Sequence, residues 1–131
     1  MKPNYIYLVI EDNAIDQIIT SKLLKKTTGA LEVSIANNGK EGIQWLSKYK
    51  VKQDEILIIL LDIKMPVMDG FGFLTEYEKL NEELKKQTQI FILSSTLDIN
   101  EITRGNNNQY VKSVLSKPLP FAAFSEMIQP S

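Results

Sequence analysis

The chain has 131 residues, of which 44% are hydrophobic and 24% charged, with a formal net charge of −1. That length suits one domain around one core, and the near-neutral balance supplies no electrostatic reason to expect nucleic acid or an anionic membrane as partner. Cysteine and histidine are both absent, which excludes disulfides, thiolate nucleophiles, Cys/His zinc sites and imidazole catalysis, and leaves carboxylates, hydroxyls, lysines and backbone amides to carry any chemistry.

Tyr5–Ile10 is a continuous apolar run, the pattern of a strand covered on both faces. It is too short for a signal-peptide core, and Glu11 and Asp12 close it at once. From about Ala14 to Lys26 a helix is expected, with Ile15, Ile18, Ile19, Lys22 and Leu23 along one side and Gly29 as its stop signal. Leu31–Ala36 reads as a second, weaker strand, and Gly39–Lys48 as a helix carrying Ile43 and Leu46. Trp45, on that helix, reads as a packing residue. Ile56–Leu61 is the second continuous apolar run, far below the ~18 residues of a membrane span.

Phe71–Lys86 is expected to form one helix bearing Phe71, Leu74, Tyr77 and Leu80, with Glu82-Glu83 and Lys85-Lys86 on a solvated face. A strand at Gln89–Leu93, a short helix at Ile99–Gly105, a surface loop at Gly105–Gln109 and a strand at Ser113–Leu115 follow. The last helix, Phe121–Ile128, carries Phe121 and Phe124 as core aromatics, either of which could anchor a partner.

Strand and helix alternate through the chain, which implies an α/β fold: a five-stranded parallel sheet with helices on both faces and right-handed crossovers. No composition break marks a second domain, so residues 1–131 read as one domain with no output domain. In such sheets the working site lies beyond the carboxyl ends of the strands. Glu11 and Asp12 follow the first strand, Asp62 the third, Ser94 and Ser95 the fourth, and Lys117-Pro118 the fifth.

Taken singly, each of these carboxylates is as well explained as the polar end of a buried strand or as a helix cap. Gathered together, they repel: two unit charges ~4 Å apart cost about 4 kcal/mol at an effective dielectric near 20. A fold tolerates that cost if a cation offsets the charge or if pKa values rise, and for a cation an oxygen-only donor set points to magnesium. Asp62 is the candidate nucleophile toward phosphorus, giving an acyl phosphate, with Lys117 and the Ser94 hydroxyl on the phosphoryl oxygens.

The stretch Leu61-Asp62-Ile63-Lys64-Met65-Pro66-Val67-Met68-Asp69-Gly70 resembles the phosphoacceptor segment of response-regulator receiver domains, which carry an aspartate, then Met-Pro, then Met-Asp-Gly at this spacing. Glu11-Asp12 and Lys117-Pro118 match the same family at matching places, and the resemblance covers essentially the whole chain. It implies the (βα)5 flavodoxin-like receiver fold and a switch rather than an enzyme. Asp62 would take a phosphoryl group from a phosphohistidine on a histidine kinase or histidine phosphotransfer protein. Glu11, Asp12, Asp62 and the backbone carbonyl of Lys64 would hold Mg2+. Ser94 and Lys117 would close on the phosphoryl group, Ser95 would keep the place of a small residue, and Asp69 would cap the third helix beside a loop shaped by Pro66 and Gly70. The absence of cysteine fits a cytoplasmic protein; the resemblance implies one whose phosphorylated state draws in the loop around Thr96 and is read by an unknown downstream protein at the fourth helix, fifth strand and fifth helix.

Two positions depart from the pattern. Glu11 stands where aspartate is common, and Val114 stands where the family keeps a tyrosine or phenylalanine whose rotation reports phosphorylation. A β-branched valine has little rotameric reach and no hydroxyl, and Tyr110 lies four residues further back. Three other readings compete. A haloacid-dehalogenase-like phosphatase needs an aspartate two residues after its nucleophile, where Lys64 stands. A flavodoxin-like flavin site needs a phosphate-binding loop after the first strand, where Glu11 and Asp12 would repel the phosphate. A pseudo-receiver, binding proteins without phosphorylation, is the third.

Overall fold

The computed structural model describes residues 4–29, 32–95 and 98–128. Within them the chain runs β1 (Asn4–Ile10), α1 (Ala14–Thr28), β2 (Val33–Ala36), α2 (Gly39–Lys48), β3 (Glu55–Leu61), α3 (Gly70–Tyr77), α4 (Glu82–Lys86), β4 (Thr88–Ser94), α5 (Ile99–Asn106), β5 (Val111–Ser116) and α6 (Phe121–Ile128). The strands form one five-stranded sheet in the order β2-β1-β3-β4-β5. Every pairing is parallel. This is the α/β layering that the alternation of apolar runs implies.

The central strands show why their sequences are apolar throughout. Leu8 and Ile10 of β1, Leu57, Ile59 and Leu61 of β3, and Ile90 and Ile92 of β4 face one layer, with Leu46, Phe73, Leu74 and Tyr77. Tyr7, Val9, Ile58, Leu60, Phe91 and Leu93 point to the other, with Leu24 of α1 and Phe124 and Ile128 of α6. Successive side chains of a strand alternate between faces, so a strand buried on both must be apolar at every position. Phe124 meets Phe91 edge-on, ring centroids 5.1 Å apart, as expected of a core aromatic, whereas Phe121 is 46% exposed and, against expectation, does not join the core.

Four further expectations need correction. Phe71–Lys86 is not one helix: α3 stops at Tyr77, and Asn81 caps a separate α4 by accepting from the Glu83 amide. An asparagine that satisfies a neighbouring amide competes with helix continuation, and Glu82-Glu83 then open and Lys85-Lys86 close a helix whose dipole favours that order. Lys85 does not lie on a solvated face. Its side chain is only 6% exposed, sits over the Tyr110 ring at 5.3 Å and donates to the Glu78 carbonyl.

Gly105 belongs to α5 rather than to a surface loop, and it is buried. A Cβ there would lie 2.7 Å from Val114 Cγ2 and 3.0 Å from Ile92 Cδ1, so glycine lets α5 settle directly on the sheet. Finally, the isoleucine side of α1 faces outward: Ile15, Ile18 and Ile19 are exposed, while Thr20 and Leu24 are buried. The inward side of α1 is instead made by Thr20 and Leu24, with Leu23 half-buried beside them. For β2, the expected start at Leu31 lies outside the described residues, and the strand is seen from Val33.

Candidate functional site

Strand register carries the acidic residues to one edge. Ile10 pairs with Leu61 at the ends of β1 and β3, so Glu11 and Asp62 leave the sheet side by side. The Asp62 amide donates to the Ile10 carbonyl at 3.0 Å, and the Glu11 amide to the Ala36 carbonyl at 2.9 Å. On the other side Ser94 pairs with Ser116, and the Lys117 amide donates to the Ser94 carbonyl at 2.9 Å. The Lys117-Pro118 peptide is cis. The sheet order changes direction around β1 and β3, which is where doubly wound sheets open a crevice.

The loop after Asp62 folds back onto it. The Gly70 amide donates to the Ile63 carbonyl at 2.7 Å. A Cβ on Gly70 would stand 2.5 Å from the Asp62 carbonyl oxygen, an approach open only to glycine. Asp69 caps α3, its Oδ1 accepting from the Gly72 amide at 2.8 Å. Val67, at the tip, is held at φ 72°, the left-handed region that a β-branched residue rarely adopts.

The three carboxylates converge: one oxygen each from Glu11, Asp12 and Asp62 lie within 4.8 Å of one another. Glu11 is 3% and Asp62 9% exposed, whereas Asp12 opens to solvent. Asp62 Oδ1 accepts from the Ile63 amide at 2.9 Å, and Oδ2 faces the Lys117 ammonium at 3.6 Å. Lys117 lies closer to two other carboxylates, at 2.5 Å from Glu11 Oε1 and 3.0 Å from Asp16 Oδ2. These groups, with Lys64, Ser94 and Ser95, line an open cavity of about 190 Å³. Ser94 is buried at its wall.

Burial pushes the Glu11 carboxyl up to about 7. Lys117 and the Asn13 amide work against that rise, and the charge of Asp62 adds to it. For Lys117, burial acts to lower the pKa, but the bonds from Glu11 and Asp16 outweigh it and the ammonium is held above its ordinary range. The lysine is a fixed positive charge in an otherwise acidic cleft.

The motif residues therefore meet at one place, joined by three neighbours that belong to no motif. Asn13 caps α1, its Oδ1 accepting from the Ile15 and Asp16 amides. Gln17 Nε2 donates to the Glu11 carbonyl at 2.6 Å and to Asn37 Oδ1 at 2.8 Å. Asp16 turns its carboxylate to Lys117. A signal was present: an asparagine cap followed three residues later by an acidic residue marks a helix start, which sets Asp16 one turn above the end of β1.

At the departure noted from the family pattern, Val114 packs against Gly105. Tyr110 lies edge-on to Tyr77, centroids 5.2 Å apart, in a separate stack. Thr96 lies outside the described residues.

The site suits a hard divalent ion by its chemistry: only oxygen donors are present, three carboxylates are gathered, and the cleft is open on the Asp12 side. Among the described residues, no helix is long and apolar enough to cross a membrane.

The family model described as the response regulator receiver domain matches residues 7–129. Over 79 residues the chain is 38% identical to the sensor histidine kinase CheAY of Helicobacter pylori, covering 60% of this chain and 9% of that protein. Over 97 residues it is 33% identical to hybrid signal transduction histidine kinase G of Dictyostelium discoideum, covering 74% of this chain and 3% of that protein. The chain thus spans a small part of these curated relatives. Among solved structures, a response regulator receiver protein from Dyadobacter fermentans superposes with a TM-score of 0.85 at 28% identity, with 94% of each chain covered. The Mn2+-bound form of response regulator Rcp1 shares the fold at a TM-score of 0.69 and 24% identity, covering 97% of this chain and 90% of that one.

Proposed function

The chain belongs to the response regulator receiver domain family of two-component signalling, and on that footing we propose that it is a phosphoacceptor switch with Asp62 as the accepting residue. The observation that carries this reading is the gathering of the Glu11, Asp12 and Asp62 oxygens within 4.8 Å of one another, with the Lys117 ammonium 3.6 Å from Asp62.

Asp62 Oδ2 attacks phosphorus while Oδ1 stays on the Ile63 amide. The O–P bond forms as the P–N bond to the donor imidazole breaks, and the imidazole keeps the electron pair. Positioning and charge neutralisation supply the catalysis. Lys117 and Ser94 take the phosphoryl oxygens, the first by charge and the second by its hydroxyl. When bound on Glu11, Asp12, Asp62 and the Lys64 carbonyl, Mg2+ would supply the remaining positive charge. The protein changes state and returns by hydrolysis, acting as a switch rather than a turnover enzyme.

The donor is a histidine kinase or a histidine phosphotransfer protein, and the exposed Ile15, Ile18 and Ile19 of α1 offer it an apolar landing beside the cleft. The signal leaves through a downstream protein contact in the cytoplasm, at the face of α5, β5 and α6.

Incubation with Mg2+ and acetyl phosphate tests the reading by intact-mass spectrometry. One phosphoryl group is expected on the wild type, mapped to Asp62, and none on Asp62→Asn, whose fold persists. No gain by the wild type, under conditions that label a control receiver, would instead mark a pseudo-receiver that binds proteins without phosphate.

A further inference from the structure

Lys117 is not poised on the acceptor. Its ammonium makes close pairs with Glu11 at 2.5 Å and with Asp16 at 3.0 Å, while Asp62 is left at 3.6 Å. Asp16 is the unexpected member. It stands on α1 rather than at a strand end, and Asn13 fixes its backbone by accepting the Asp16 amide at 3.0 Å. Its carboxylate thus reaches the lysine from outside the group of strand-end residues.

From this geometry we propose that Asp16 is a positioning residue that tethers Lys117 in a resting place and so restrains phosphoryl acceptance at Asp62. The proposal rests on the phosphoacceptor reading above. To reach a phosphoryl oxygen, Lys117 must loosen its bond to Asp16. A charge-assisted bond between partly buried groups resists that move more than an exposed pair would. Glu11 competes for the same ammonium, but its oxygens are also wanted by the metal. Asp16 is outside the gathered triad of carboxylates, so its bond to Lys117 persists when a metal engages the other three. The tether is therefore what sets the resting position of the lysine in the metal-loaded protein.

Asp16→Asn keeps the shape and the amide bond to Asn13 while removing the charge. With acetyl phosphate and saturating Mg2+, the variant is expected to label at Asp62 roughly threefold to tenfold faster than wild type, and Asp16→Glu is expected to restore the slow rate. The gain must vanish when Lys117 is also replaced by Ala, because the tether acts only through the lysine. An equal gain in the Lys117→Ala background would overturn the proposal, since Asp16 would then merely repel the anionic donor. Labelling of Asp16→Asn at or below the wild-type rate would overturn it as well.

A second readout needs neither metal nor phosphate. In the metal-free protein, acetylation of Lys117 by an N-hydroxysuccinimide ester, followed on its peptide by mass spectrometry, is expected to run at least about twofold faster in Asp16→Asn. Unchanged reactivity would refute the tether even if phosphorylation proceeds. Increased reactivity in a protein that never labels would uphold the pairing and refute the phosphoacceptor reading alone.

Discussion

Lys117 Nζ lies 2.5 Å from Glu11 Oε1, closer than to any other carboxylate it faces, and Asp62 stands a further ångström away at 3.6 Å. On the proposed reading, the lysine and Mg2+ would draw on the same glutamate. Since the other Glu11 oxygen already accepts from the Asn13 amide at 3.1 Å, an ion held by Glu11 as proposed would weaken the bond to Lys117.

Lys117→Ala removes that competitor and one positive charge from the cleft. Magnesium affinity is expected to rise, by roughly threefold to tenfold, while the response to phosphorylation is blunted for want of a charge on the phosphoryl oxygens. Isothermal titration with MgCl2 measures the first effect. A loss of metal affinity would show that the lysine supports the ion rather than competing with it.

Glu11 makes the metal-free protein sensitive to pH. Its folded pKa, raised to about 7, exceeds that of the unfolded chain, at 4.5. Between those values the folded state holds the extra proton, so stability of the metal-free protein falls as pH rises through this window. Magnesium bound as proposed needs the ionised form, so its affinity is expected to run the other way and to weaken by up to about tenfold per unit as pH drops below about 7. Urea melts of the metal-free protein across the window give the first trend. A flat profile, or one that Glu11→Gln leaves unchanged, would remove Glu11 as its source.

On α1, Ile15, Ile18 and Ile19 are 69%, 55% and 42% exposed. If they seat the phosphohistidine donor, the double variant Ile15→Ser/Ile18→Ser slows transfer from a phosphorylated donor protein by about tenfold or more. Labelling by acetyl phosphate stays within about twofold, because that donor needs no docking surface. Equal losses with both donors would move the docking face elsewhere.

Val67 holds a left-handed φ of 72° at 78% exposure. Its side chain has little packing there to offset the strain, and asparagine tolerates this region. Val67→Asn is expected to stabilise the fold by about 1 kcal/mol, read as a higher urea midpoint at unchanged slope. A lower midpoint would mean that the valine makes a contact worth more than the strain.

Much of this was legible in residue order. The double-faced strands Tyr5–Ile10 and Ile56–Leu61 announce a covered parallel sheet, and a parallel sheet has one edge at which Glu11, Asp12, Asp62, Ser94 and Lys117 must surface. The ten residues from Leu61 to Gly70 carry the family with them. Local chemistry thus determined the fold class and the identity of the motif residues, because periodicity and strand ends are properties of short segments.

Only the tertiary structure decided how those residues share one another. Which carboxylate holds Lys117 depends on how α1 is rolled on the sheet, and in the roll observed Asn13, Asp16 and Gln17 make polar ties and Thr20 and Leu24 are buried, while the isoleucine stripe faces outward. The break between α3 and α4 is followed by an asparagine cap, and α5 seats its Gly105 against Val114 of the next strand and Ile92 of the strand before. The choice of partner for Lys117 is made between groups far apart in the chain, whose energies are close until packing brings them within reach.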